Sequence, residues 1–122
     1  MRYVIPLFLV LVACDGGQKI KFVVHNHSRD VIDSVVVVTS TNNSRVAIKD
    51  IQPGASEEEF LAMSKEPYVD GDYHVSIVAG SRTYSNSIGY FTNGAPVEEK
   101  MEIWFSNDTI RYEPKPKRKY QH

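Results

Sequence analysis

The chain has 122 residues, with 14 Lys and Arg against 15 Asp and Glu and a single cysteine. That length suits one domain of common size, and one thiol excludes an internal disulfide framework. Residues 14–112 hold nine Lys and Arg against fourteen Asp and Glu, whereas residues 113–122 hold four against one; so acidic a body argues against nucleic acid as a partner.

At the amino end, Arg2 gives a short positive start, Val4 to Val12 form an apolar run, and small residues lead into Cys14. This is the layout of a secretory signal, and it falls short of the roughly 20 apolar residues that a helix needs to cross a bilayer. Leu11-Val12-Ala13-Cys14 resembles the lipobox of bacterial lipoproteins. The resemblance implies that residues 1–13 are removed as a signal peptide and that Cys14 is lipidated on its sulfur and acylated, with fatty acids such as palmitate, at its new amino terminus. It thereby implies a membrane partner, reached through the lipid anchor, and a place in the bacterial cell envelope. Two or more acyl chains hold a protein stably where one holds it marginally. Residues 14–18 then read as the lipidated Cys14 and a flexible tether, Asp15-Gly16-Gly17-Gln18. Asp15 resembles the residue that keeps some Gram-negative lipoproteins at the inner membrane, but the sequence leaves inner and outer membrane open.

Residues 19–112 read as short β-branched runs separated by turn residues, the pattern of a sandwich or barrel. In KIKFVVHN, Ile20, Phe22 and Val24 alternate inward against Lys19, Lys21 and His25. DVIDSVVVVTS is apolar at consecutive positions and suits a central strand covered on both faces. Thr41 to Ser44 make a turn, RVAIKDI a third strand, and Pro53-Gly54 another turn. SEEEFLAMSKE reads two ways: Ser56 and Glu59 fit a helix capping box, while as a strand it places Phe60 and Ala62 on one side. The strand is preferred, because every neighbour is β and a lone short helix is marginal. DYHVSIVA, RTYSNSIGYF and KMEIWFS follow, with a short TIRYE extension. The tail EPKPKRKYQH, residues 113–122, alternates prolines with lysines, so it should stay out of a sheet interior and be extended or disordered.

DGDYHVSI resembles the start of strand F in immunoglobulin-like domains, where a Gly two residues before a Tyr lets the ring fold back to the loop backbone; here these are Gly71 and Tyr73. IQPGAS resembles the Pro-Gly turn upstream of that corner. Val75 stands where antibody-type domains carry a cysteine, and the sole tryptophan, Trp104, comes late. The expectation is an all-β fold, a small Ig-like antiparallel β-sandwich of about seven strands with no disulfide.

Asn93-Gly94 is a strong hairpin signal. A two-residue turn there would set Tyr90 against Val97 and Tyr84 against Ile103. Tyr84, Ile88, Tyr90, Val97, Met101, Ile103 and Phe105 would share the core face, and Thr83, Ser85, Ser87, Phe91, Lys100, Glu102 and Trp104 the outer one; a longer loop with one more residue would reverse that parity and make Trp104 core. Exposed rings among small hydroxyls suit a binding hot spot or a sugar-stacking platform, so Trp104, Phe91, Thr83 and Ser85 form the candidate binding surface.

For catalysis, no nucleophile, base and orienting group recur in a recognised spacing, so no enzyme and no cofactor are expected. His25 and His27 project to one strand face and could share an ion. A third ligand would have to be His74, which the immunoglobulin-like order places on the opposite sheet, so no metal site is expected. The run Glu57-Glu58-Glu59 and the pair Asp70 and Asp72 read as a solvated face and as turn formers. These readings point to a lipid-anchored, non-enzymatic binding module whose partner is an envelope protein or a glycan. The alternative is a periplasmic inhibitor or immunity lipoprotein that blocks a hydrolase or toxin.

Overall fold

The computed structural model describes residues 18–116, so the signal segment, Cys14 and the end of the tail lie outside the described residues. The apolar and polar alternation read from the sequence is realised as strands throughout. In chain order these are β1 (Lys19–Asn26), β2 (Ile32–Thr39), β3 (Arg45–Ile51), β4 (Ser56–Ala62), β5 (Gly71–Ala79), β6 (Arg82–Thr92), β7 (Ala95–Pro96), β8 (Glu98–Ser106) and β9 (Thr109–Pro116). One sheet has the order β4-β1-β8-β9 and the other β3-β2-β5-β6-β7. Their inner faces share one core, in which Phe22, Tyr73, Phe91 and Phe105 are fully buried. The fold is all-β, with nine strands in place of about seven among the described residues.

The inward and outward sides of β1 fall as expected, with Ile20, Phe22 and Val24 buried. β2 is central in its sheet, between β3 and β5, but it is not covered on both faces. Val35, Val37 and Thr39 point into the core, while Val36 and Val38 stand half-buried on the outside. A bulge between Ile32 and Ser34 shifts the register, which lets Ile32 and Val35 face the same side. Residues 56–62 are a strand, β4, at the edge of its sheet against β1. Phe60 and Ala62 stand on its outer side and only Leu61 is buried.

The Asn93-Gly94 turn is present, but its consequences differ from the expected register. Both residues have positive φ, 51° and 74°, as a two-residue hairpin turn requires. Pairing stops after Thr92 with Ala95 and Phe91 with Pro96. Pro96 has no N–H to extend the ladder, and the chain crosses to the other sheet, where β8 runs parallel to β1. Tyr90 therefore does not pair with Val97, nor Tyr84 with Ile103.

The face assignment also changes. Gly89 (φ 61°) sits in a bulge of β6, where Tyr73 pairs with Ile88 but Gly71 with Phe91. The extra residue turns Phe91 inward to full burial and Tyr90 outward. Phe91 is thus a core residue, packed at 5.5 Å from Tyr73, and leaves the candidate binding surface.

Tyr73 is fully buried at the start of β5 and meets Phe22 edge-on, with centroids 5.3 Å apart. Its hydroxyl donates to Met63 Sδ at 3.6 Å rather than to a loop carbonyl. At the carboxyl end, β9 continues to Pro116, so residues 113–116 belong to the sheet and the expected boundary at Tyr112 is too early. The two prolines, Pro114 and Pro116, fit because β9 is an edge strand.

Candidate functional site

On the outer face of the β4-β1-β8-β9 sheet, the register sets residues side by side in rows. Ser56 pairs with His25, His25 with Trp104, and Trp104 with Arg111. Strands lie about 4.8 Å apart, so the flat side chains of such a row stack. His25 and Trp104 are near-parallel, with centroids 5.3 Å and planes 16° apart. The Arg111 guanidinium lies 4.7 Å from the indole centroid on the side of the next strand, a cation–π contact. The imidazole is fixed at both nitrogens, Nδ1 2.6 Å from Ser56 Oγ and Nε2 3.3 Å from Glu102 Oε2.

Trp104 is partly buried because its two faces are covered by His25 and Arg111. His25 and Trp104 remain partly exposed and Arg111 is exposed. Indole and guanidinium N–H groups are donors only, so the stack suits a ligand rich in acceptors. Beside it is a cleft of about 320 Å³, lined by His27, Trp104, Asn107, Asp108 and Arg111 among others. The tight turn from β8 to β9, in which Ser106 pairs with Thr109 and Asn107 has φ 57°, lines it too.

Thr83 and Ser85 do not join this surface. They lie exposed on β6 of the other sheet, where Ser85 Oγ is 3.3 Å from Ser76 Oγ. His74 is also on that sheet, 3.1 Å from Ser87 Oγ and 3.5 Å from Asp72, far from the His25 and His27 pair. Among the described residues, no group of three or more His, Cys, Asp or Glu side chains is placed to hold a metal ion. Cys14 lies outside the described residues.

Sequence reasoning found Trp104 but missed His25 and Arg111 as its neighbours. The outward side of His25 was legible from the alternation of β1. Its place beside Trp104 depends on the parallel pairing of β1 with β8, which joins the two ends of the chain and leaves no local signature.

The opposite end holds two buried carboxylates. Glu66, in the loop between β4 and β5, accepts hydrogen bonds from Thr39 Oγ1 at 2.8 Å, from Thr41 Oγ1 at 2.5 Å and from Ser44 Oγ. Burial pushes its pKa up, but the hydroxyls of Ser44, Thr41 and Thr39 together outweigh this and hold it below the usual range. Glu98, at the start of β8, is buried with Oε1 unpartnered, and burial raises its pKa.

No protein-family model matches the chain, and no curated protein matches it. Among solved structures, the chain is similar to the NMR structure of a protein from Eubacterium rectale, with a TM-score of 0.54 and 10% identity over 82% of this chain and 91% of that one. At that identity the likeness concerns the fold.

Proposed function

We propose that this chain is a lipid-anchored protein of the bacterial cell envelope. Its domain is an Ig-like sandwich and works as a binding module, with the His25, Trp104 and Arg111 stack as its recognition surface. The observation that carries the reading is the stack itself: three π-bearing side chains from three strands, stacked beside a cleft that Trp104 and Arg111 line. Aromatic and Arg side chains dominate binding hot spots because they bring large area at small entropic cost. The Ig-like assignment is supported by the two stacked sheets and by Tyr73 two residues after Gly71 at the start of β5.

The position of the stack supports the same reading. His25 lies six residues along β1 from Lys19, about 20 Å at 3.3 Å per residue. A domain held through Cys14 thus carries the stack at its far end, where an acceptor-rich envelope glycan or protein segment can reach it.

Two variants test the reading. Cys14→Ser should lose incorporation of labelled fatty acid and leave the membrane fraction. Trp104→Ala should keep its melting temperature within a few degrees, yet lose at least about 2 kcal/mol of partner affinity, roughly thirtyfold, in capture from envelope extract. Label retained on the serine variant would refute the anchor. Undiminished capture by Trp104→Ala would refute the surface.

A further inference from the structure

The two ends of the domain differ in what they expose. Among the described residues, the exposed large hydrophobic side chains are Phe60, Tyr68, Val69, Tyr90, Val97 and Tyr112. All but Tyr112 lie at the end where β1 begins. Phe60 pairs with Lys21 on β1, Tyr68 and Val69 lie in the loop after β4, and Tyr90 and Val97 flank the Asn93-Gly94 hairpin. That hairpin is docked on the loop, with the Gly94 N–H donating to Val69 O at 2.8 Å and the Asn93 N–H to Asp70 Oδ1 at 3.0 Å. Gln18, Tyr68 and Asn93 line one small cleft, so the chain enters β1 beside these apolar groups. Tyr68 is 89% exposed.

The same end carries a row of like charges. Lys21, Lys100 and Lys115 pair in register across β1, β8 and β9, and Lys19 lies one step nearer the entry of the chain. Like charges directly opposite on neighbouring strands destabilise a sheet. Lys21 and Lys115 lean toward Glu58 and Glu113 in the next row, at 3.6 and 3.4 Å, and Lys19 lies over the Phe60 ring at 4.5 Å. β9 ends at this same edge with Pro116 opposite Glu98, and the next residues in the sequence are Lys117, Arg118 and Lys119. Tyr68 and Val69 lie in a loop that also carries Lys65, Glu66 and Asp70, with Asp72 just after it, at the same end as the lysine row on the sheet face. Exposed tyrosine and aliphatic groups beside lysines suit bilayer head groups, where each basic residue adds attraction to anionic lipid.

We propose that this end of the domain docks on the surface of an anionic bilayer, with Lys19, Lys21, Lys100 and Lys115 against lipid phosphates and Tyr68 and Val69 entering the interface. The inference rests on the lipid-anchor reading of Cys14, which would place this end next to the membrane. It adds an orientation: the domain stands on the bilayer instead of swinging freely on its tether.

The test uses the mature lipidated protein in vesicles of phosphatidylcholine with phosphatidylglycerol, and in vesicles of phosphatidylcholine alone. A water-soluble amine-acylating reagent is added and each lysine is followed by mass spectrometry. Lys19, Lys21, Lys100 and Lys115 should be acylated several-fold more slowly on the anionic vesicles, and salt should abolish the difference as screening shortens. Lys49, on β3 toward the opposite end, serves as the internal reference and should not change. A Tyr68→Ser, Val69→Ser variant should lose part of the protection. If the protein is anchored but all five lysines react alike on both vesicles, the docking surface is refuted and the anchor stands. If the protein carries no labelled fatty acid and stays out of the vesicles, both are refuted.

Discussion

Glu66 and Glu98 are carboxylates a few residues from the same loop and hairpin, yet the fold treats them oppositely. The three hydroxyls around Glu66 tie the turn after β2 to the loop after β4, and Thr39 and Ser44 are themselves buried. Removing the carboxylate in Glu66→Ala takes the shared acceptor from those hydroxyls, of which Thr39 Oγ1 keeps Thr41 Oγ1 and Ser44 O as partners. At a total cost of about 1–3 kcal/mol, the melting temperature should fall by roughly 5–20 °C. Glu98 lacks a partner for Oε1. With Glu66 it also pushes up the Tyr73 hydroxyl pKa, which burial raises most, so that phenol stays protonated. The pH windows follow from the signs. The lowered pKa of Glu66 gives stability that is complete above the ordinary carboxylate value and is lost as pH falls through the folded value. The raised pKa of Glu98 does the reverse: the folded state keeps its proton longer, so stability is greatest below the ordinary value and declines as pH rises through the folded one. Denaturant titrations across pH should show Glu98→Gln more stable than wild type at neutral pH and Glu66→Gln less stable. An unchanged neutral stability in Glu98→Gln would show that its carboxyl is solvated.

Among the strands, what was legible in the sequence was the alternation, and what was hidden was each point where an added residue breaks it. β1 runs without an internal break, so Ile20, Phe22 and Val24 fall inward as their spacing says. In β6 one glycine reverses the pattern: up to Ile88 the expected core face holds, and beyond Gly89 it inverts, which exchanges Tyr90 and Phe91. A period-2 reading carries no signal for a bulge other than the glycine itself. The crossing after Pro96 was hidden for another reason. A hairpin turn predicts that its two strands continue to pair, but the hairpin is held by a loop distant in sequence: a Cβ on Gly94 would lie 2.4 Å from Pro67 O. The bulge gives a direct prediction. In Gly89→Ala the new Cβ would meet Met101 Cε at 2.5 Å, at a φ that L-residues avoid, so unfolding free energy should drop by about 1–3 kcal/mol. Ser85→Ala, on the exposed face of the same strand, should change it little. Equal effects in urea melts would mean that the bulge is not fixed by packing.

Across the whole molecule, the chain places a stacked His25, Trp104 and Arg111 row at one end and a lysine and tyrosine surface at the other, with the first sheet as the spacer between them. The sequence showed one component, since Trp104 stands out in it as the sole tryptophan. It did not show how either end assembles, because Lys21 meets Lys100, and His25 meets Trp104, only through a parallel pairing of strands some 80 residues apart. If Cys14 anchors the domain as proposed, Trp104 faces away from the membrane, and the single tryptophan reports on this without any label. The decisive measurement is its emission in the lipidated protein on anionic vesicles, quenched in turn by acrylamide from the water and by brominated acyl chains from the bilayer. Acrylamide should quench it and brominated lipid should leave it unchanged. Quenching by brominated lipid, or an indole shielded from acrylamide in the free protein, would contradict the account.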